Sequence, residues 1–193
     1  MFENLNKYNI VLASQSPRRR EILSNLGLEF EVRVLPDAEE TYPKHLTGEE
    51  IARHIATQKA ERYRATMKEN DLIITADTIV CVDNQVLGKP ENEAEAVGML
   101  KMLSGRKHDV ITAFTINTSK RSECVSVVTR VKFAELSDDV IRHYVTNYKP
   151  YDKAGAYGIQ EWIGYVGVES VEGSFFNVVG LPIQRLVNVL MSF

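Results

Sequence analysis

The sequence has little cysteine, no long apolar run and no known nucleotide-binding loop. Only Cys81 and Cys124 occur in 193 residues, and neither belongs to a CxxC pair. We therefore expect a reduced compartment, with both thiols as small core residues. No segment approaches the ~20 apolar residues of a membrane span. The N-terminal residues 1–7 lack the apolar core of a signal peptide, so neither a membrane span nor a secretory leader is expected.

Positive charge is also scarce. Lys and Arg number 23 against 26 Asp and Glu, which gives a net charge of −3. A chain without an overall basic field is not expected to bind polynucleotides. The sequence contains no GxxxxGK[ST], GxGxxG or GxSxG motif, which excludes the common phosphate loops and the hydrolase nucleophile elbow. Its four histidines are scattered without ligand spacing, so no zinc site is expected.

Strand and helix signals alternate along the whole chain, which predicts a mixed α/β fold and one domain over residues 1–193. A long antiparallel hairpin, expected from alternation at 110–116 and 124–133, favours a mixed sheet over an all-parallel one. Apolar runs predict strands at Asn9–Ala13, Phe30–Val34, Leu72–Val82 and about 162–171. Capping and periodicity predict helices that begin near Ser16, Thr47, Asn92, Ser137 and Pro182. The second of these has a capping box of Thr47 and Glu50, and its expected apolar stripe comprises Ile51, Ala52, Ile55, Ala56, Ala60 and Tyr63.

The segment Ser14–Arg20 breaks a local rule. Ser16 and Pro17 are typical of a helix start, yet arginines fill the first turn, where acids are preferred. Free backbone N–H groups, the hydroxyls of Ser14 and Ser16, and the guanidinium groups of Arg18 and Arg19 would together bind a phosphate. The alternative is a solvated helix end whose arginines pair with surface acids. The context of a strand, a turn and a helix favours the anion site.

Asp77 is an acid inside an apolar, strand-like run. A carboxylate is rarely buried there without a partner. It suits a metal ligand or a general base that activates water. The alternative is an aspartate at a bulge or sheet end that accepts hydrogen bonds from nearby backbone.

Two lysines and one loop carry weaker signals. Lys59 lies on the apolar face of its helix, which fits either a functional cation or a lysine that extends from the rim of the core to solvent. Lys89 lies in a loop stiffened by Pro90. The segment Asp152–Gln160 combines glycines and alanines with Lys153 and Gln160, which allows close backbone approach to a ligand, although an ordinary loop can have the same composition. Together these features suit a metal-bound polyphosphate.

The same segments resemble the Maf family of nucleoside triphosphate pyrophosphatases, in family order and over nearly the whole chain from Asn9. The matching segments are Ala13–Arg19, Lys59-Ala60, Ala76–Val80, Gly88–Pro90, Asp152–Gln160 and Ser174–Pro182. Thr78 after the acid and Gln160 at the end of the late loop match the branch that acts on dTTP and UTP. The resemblance implies an inosine-triphosphate-pyrophosphatase-like architecture with an elongated twisted sheet and two lobes around a cleft. It also implies a cytoplasmic homodimer that uses Mg²⁺ or Mn²⁺.

The resemblance also implies roles for individual residues. Asp77 is the proton acceptor, and it binds the metal with a loop acid, for which Glu40 is preferred to Glu39 by its spacing to Lys59. Lys59, Lys89 and Arg19 hold phosphates, and Arg18, Thr78 and Gln160 set base preference. Lys153 joins Ser14 and Ser16 as a further residue expected to bind substrate. A non-catalytic nucleotide-binding regulator of cell division is the competing hypothesis, since it would use the same cations without Asp77.

Overall fold

The computed structural model describes residues 2–36 and 40–193. The strands are β1 (Asn9–Leu12), β2 (Glu31–Val32), β3 (Asp71–Val82), β4 (Gln85–Leu87), β5 (Lys107–Asn117), β6 (Ser122–Phe133) and β7 (Val168–Glu172). The helices are α1 (Pro17–Ser24), α2 (Gly48–Arg64), α3 (Glu93–Leu103), α4 (Asp138–Tyr148), α5 (Trp162–Gly167), α6 (Phe175–Val179) and α7 (Ile183–Leu190). Short 3₁₀ turns cover Glu3–Leu5 and Ala154–Ala156.

The strands form a mixed sheet in the order β2-β1-β3-β5-β6-β7, with β4 paired to β3. β1 is parallel to both β2 and β3, in a register that places Ile10 opposite Leu72. β4 is antiparallel to β3, and β7 is antiparallel to β6. The predicted mixed α/β class, with a mixed sheet and flanking helices, is confirmed. No helix in the described part of the chain is both long and apolar enough to cross a membrane.

The chain divides into two compact units. The first comprises Met1–Asp77, Thr112–Val127 and Gly180–Phe193. Its helix α2 begins with the predicted capping box of Thr47 and Glu50, which satisfies backbone donors at the helix start. The buried stripe of α2 is the one that its periodicity predicts, and it faces the parallel strands β1 and β3. The stripe comprises Ile51, Ala52, Ile55, Ala56, Ala60 and Tyr63.

The second unit comprises Thr78–Ile111 and Val128–Val179. Its core joins the apolar faces of α3 and α4 to the inner faces of the strands, with Leu100, Phe133 and Tyr144 almost fully buried. The same core includes Ala156, Tyr157 and Ile159, so the late Gly-rich loop predicted at 152–160 packs on its own unit. A loop anchored in this way can hold polar side chains in fixed positions.

Two local predictions are wrong. The stretch 162–171 is not one strand, because Trp162–Gly167 is helical and only Val168–Glu172 is extended. A short apolar run does not distinguish the two, and here Gly164 permits a turn in which its N–H donates to Glu161 O at 2.9 Å. The cysteines are free but only partly buried, so neither is a core residue. Burial nonetheless raises the pKa of the Cys81 thiol to about 11.

Candidate functional site

The first unit places Lys59 beside Asp77 through the packing of α2 on β3. Thr75 Oγ1 donates a hydrogen bond to Ala56 O at 3.3 Å, which ties the helix to the strand. Lys59 follows Ala56 by about one helical turn, and Asp77 follows Thr75 by two residues, so both side chains project on the same side of this tie. The packing of the apolar stripe of α2 therefore determines where the side chain of Lys59, the one lysine of this helix, is placed.

Lys59 bridges two carboxylates. Its Nζ lies 2.5 Å from Asp77 Oδ1 and 2.6 Å from Glu40 Oε1. The Asp77 side chain is only 9% exposed, against 25% for Lys59 and 41% for Glu40. Burying a carboxylate is costly unless it is paired, and Lys59 supplies that pairing. Two acids and one ammonium thus converge at one point, and Glu40 is the most exposed of the three side chains.

Arg19 is held rigidly next to this cluster. Its Nε donates to Gly180 O at 2.8 Å, and its Nη1 donates to Ala76 O at 2.8 Å. Burial lowers the pKa of the Arg19 guanidinium, while the nearby charge of Asp77 opposes that shift. Since Ala76 directly precedes Asp77, the guanidinium is fixed against the same segment of β3. A fixed, partly desolvated arginine is well suited to bind phosphate oxygens.

The start of α1 is organised as the sequence predicts. Ser16 is the N-cap, and its Oγ accepts from Arg19 N at 3.4 Å, with Pro17 at the first helical position. Ser14 is buried, and its Oγ accepts from Ser16 N at 3.2 Å and from Arg19 Nη1 at 3.5 Å. Arg18 is partly exposed on the first turn. The positive end of α1 therefore carries Arg18 and Arg19 in its first turn.

In the first unit, the two carboxylates of the Lys59 cluster are the side chains that suit a hard divalent cation. Glu40 and Asp77 already converge on one cationic atom, Lys59 Nζ, and carboxylate oxygens are the ligands that Mg²⁺ and Mn²⁺ prefer. Within residues 2–36 and 40–193, no three His, Cys, Asp or Glu side chains gather into a metal-binding group. Water and substrate phosphates normally complete a magnesium shell of this kind. Glu39, the alternative loop acid, lies outside the described residues.

In the second unit, a backbone hydrogen bond joins the loops of Lys89 and Lys153. Gly155 N donates to Gly88 O at 3.0 Å. Gly155 has a φ of 67°, and a Cβ at this position would lie 2.9 Å from Val80 Cγ2, so only glycine fits without strain. Lys89 itself is exposed, and Thr78 is half-buried on β3. The two loops therefore form one structural element.

A polar network that was not predicted surrounds Gln160. Lys153 is 9% exposed, and its Nζ lies 2.7 Å from Asp152 Oδ1 and 3.1 Å from Glu161 Oε1. Tyr144 OH donates to Glu161 Oε2 and accepts from Gly158 N at 3.0 Å. Burial, and then the hydrogen bond to Glu161, raise the pKa of Tyr144, which keeps the phenol protonated.

Sequence reasoning missed Tyr144 and Glu161 for different reasons. Tyr144 reads as one more apolar residue on the buried face of α4. Glu161 lies just past the loop that was singled out. The available signal was that Glu161 directly follows Gln160, eight residues after a lysine that needs an acidic partner when it is buried.

The structure therefore brings some of the predicted residues together within each unit. In the first unit, Lys59 joins Asp77 to Glu40, and Arg19 joins Ser14 and Ser16 to the backbone before Asp77. In the second unit, Lys153 and Gln160 both pack against Gly158. The side chains of Arg18 and Thr78 are partly exposed, and that of Lys89 is exposed.

Known proteins resemble this chain over almost its full length. A family described as "Maf-like protein" matches residues 9–193. A dTTP/UTP pyrophosphatase of Phocaeicola vulgatus is 57% identical, covering 98% of both chains. A protein of the same name from Parabacteroides distasonis is 54% identical over 100% of both. Another, from Flavobacterium johnsoniae, is 47% identical and covers 97% of this chain and 96% of its own.

The fold also resembles that of a solved structure. A HAM1 protein from Coxiella burnetii superposes with a TM-score of 0.54 at 19% identity, covering 96% of this chain and 100% of that one. At this identity the likeness concerns the fold alone, and it agrees with the mixed α/β architecture that was predicted.

Proposed function

The chain belongs to the Maf-like protein family, and we propose that it is a nucleoside triphosphate pyrophosphatase that hydrolyses dTTP and UTP to the monophosphate and pyrophosphate. The structural observation that carries the proposal is the convergence of Glu40 and Asp77 on Lys59, beside the fixed guanidinium of Arg19. Relatives named dTTP/UTP pyrophosphatase, 47–57% identical over nearly the full chain, support the substrate assignment.

Asp77 acts as the base in this proposal. Cleavage between the α and β phosphates requires a water that attacks the α phosphorus, and a carboxylate fixed on a rigid strand can orient and deprotonate that water. The close pairing with Lys59 holds the Asp77 carboxylate in a fixed position within a buried setting. The proton taken from water leaves through the partly exposed side of the cluster, where Glu40 lies.

Positive side chains stabilise the charge that develops on pyrophosphate as it leaves. Arg19 is the best placed, because two backbone carbonyls fix its Nε and Nη1 before substrate binds. Lys59 supplies a second cation, which can turn from the carboxylates to a phosphate oxygen. Lys89, which is exposed on its loop, keeps the phosphate-holding role that the family resemblance gives it.

Glu40 and Asp77 would hold a divalent cation, Mg²⁺ or Mn²⁺. When bound, the cation would neutralise part of the triphosphate charge of about −4 and polarise its oxygens. The family resemblance assigns the choice of base to Arg18, Thr78 and Gln160, and the proposal retains that assignment. We also propose that residues 1–193 function as one domain, in a cytoplasmic homodimer.

The test is a panel of triphosphates assayed for pyrophosphate release with Mg²⁺: dTTP, UTP, dCTP, dATP and dGTP. We expect dTTP and UTP to have the highest kcat/KM, with the monophosphate formed in equal amount to pyrophosphate. Tight binding of these nucleotides without pyrophosphate release would contradict the enzyme and favour a nucleotide-binding regulator. Highest activity on a purine triphosphate would refute the base assignment but not the reaction.

A further inference from the structure

Lys153 is electrostatically satisfied before any ligand binds. Its buried ammonium faces two carboxylates, those of Asp152 at 2.7 Å and Glu161 at 3.1 Å. The three groups carry a net charge of −1, so a phosphate approaching Lys153 would meet a negative cluster. An ion pair this enclosed fixes local structure more readily than it recruits an anion. The arrangement therefore favours a supporting role for Lys153 over direct contact with substrate.

Glu161 joins Lys153 to the backbone of the late loop. One carboxylate oxygen pairs with Lys153, and the other accepts from Tyr144 OH. The phenol oxygen in turn accepts from Gly158 N at 3.0 Å. Glu161 N itself donates to Gly158 O at 3.0 Å. Side chain and backbone of Glu161 thus hold the turn that contains Gln160 at two points.

The amide of Gln160 lies against this network. A Cβ placed on Gly158 would be 3.0 Å from Glu161 Cδ and 3.1 Å from both Gln160 Nε2 and Lys153 Cε. The Gln160 amide nitrogen therefore shares one small space with the Glu161 carboxylate, whose negative charge favours the N–H₂ end of the amide on that side. Gln160 Oε1 has no hydrogen-bond partner among the described residues although it is buried. Buried acceptors usually have a donor, so this oxygen is available to a ligand.

We propose that Glu161 is a positioning residue that sets the orientation of the Gln160 amide, and so makes the site select bases with a ring N–H. This inference rests on the proposed function and on contact of Gln160 with the base. Thymine and uracil carry N3–H, a donor to Gln160 Oε1, whereas N3 of cytosine is an acceptor and would face the oxygen lone pairs. A site that fixes an acceptor in place discriminates against the analogue that lacks the donor. Free rotation of the amide would remove that discrimination.

The test compares dTTP with dCTP in Glu161→Gln. This change keeps the size of the side chain but removes the charge that orients the amide. We expect the ratio of kcat/KM for dTTP over dCTP to fall about tenfold, the effect of one hydrogen bond, with part of the change a gain on dCTP. The matched control is Glu169→Gln on β7, where the carboxylate is 53% exposed and 3.8 Å from Lys132 Nζ. It should leave the ratio unchanged.

Tyr144→Phe is the second variant, in case Glu161→Gln does not fold. It removes the hydroxyl that holds Glu161 and Gly158, and it should lower the same ratio. Equal losses for dTTP and dCTP, with only a lower Tm, would show a purely structural role and overturn the inference. Failure of the proposed function is distinguished by the wild-type protein alone: it would release pyrophosphate from neither nucleotide.

Discussion

Replacing Asp77 by Asn should abolish most catalysis while leaving the fold intact. The amide keeps the shape of the carboxylate but cannot accept the proton from water. A positioned base contributes about 10²–10⁴-fold to kcat, so we expect a loss of at least about 10²-fold, or roughly 3 kcal/mol of transition-state stabilisation. KM should change less, since Arg19 is fixed by backbone carbonyls that do not depend on the Asp77 charge.

The structure also sets the cost in stability. Asp77→Asn removes a charge-assisted hydrogen bond of 2.5 Å to Lys59, but Lys59 keeps its second partner, Glu40, at 2.6 Å. No cation is then left buried and unpaired, so the free energy of unfolding should fall by only about 2 kcal/mol. For a chain of this length that is a drop in Tm of roughly 4–8 °C. The variant would be folded at 25 °C, and its activity can be measured there.

Asp71→Asn is a matched control on the same strand. Asp71 is also buried and paired with a cation, Arg33 Nη1, at 2.7 Å, and it accepts from Lys68 N and Asn9 Nδ2. Burial of Asp71 is outweighed by these hydrogen bonds, which lower the pKa of its carboxyl. Since Arg33 keeps Glu31 as a partner at 3.1 Å, this change should also cost about 2 kcal/mol, without lowering kcat of the folded protein. Near-normal kcat in Asp77→Asn, or an equal loss in both variants, would refute the catalytic role of Asp77.

Three further variants test other parts of the account. Gln160→Glu should weaken the preference for dTTP over dATP, because a carboxylate cannot donate to a base carbonyl; an unchanged ratio would count against Gln160. Burial lowers the pKa of His108 to about 4. Between about pH 6.5 and pH 4 the unfolded chain therefore binds a proton that the folded chain does not, so the free energy of unfolding should fall by about 3 kcal/mol as the pH drops through this range. His108→Gln, which can keep the contact with Tyr157 OH, should flatten that part of a plot of Tm against pH, and an unaltered slope would be the contrary result. Gly155→Ala should lower Tm by roughly 6–12 °C, about 3 kcal/mol, because φ is 67° and Val80 blocks a Cβ; a normal melting curve would contradict the strain.

Much of the fold follows from local patterns in the sequence. The capping box at Thr47, the proline at the start of α1 and the apolar stripe of α2 are short-range signals, and each appears in the structure as expected. The failure at Trp162–Gly167 has a physical reason. Its aromatic and β-branched residues favour a strand, but the turn at Glu161–Gly164 and packing on the second core select a helix.

The candidate site could be predicted only in part, because its contacts are long-range. Periodicity places Lys59 on the buried face of α2, yet nothing local indicates that its Nζ meets both Asp77 and Glu40. Ser16 as a cap was predictable, whereas the two carbonyls that hold Arg19 come from residues about 60 and 160 positions away along the chain. The network of Glu161 and Tyr144 depends on the packing of α4 against the late loop. Sequence pattern alone does not specify such packing.

In the proposed reaction, water activated by Asp77 attacks the α phosphorus of dTTP. Hydrolysis in ¹⁸O-labelled water with Mg²⁺, followed by mass spectrometry of both products, shows which phosphorus is attacked. We expect one ¹⁸O in dTMP and none in pyrophosphate, with the rate lost in Asp77→Asn and kept in Asp71→Asn. Label in pyrophosphate, or formation of dTDP and orthophosphate, would contradict it.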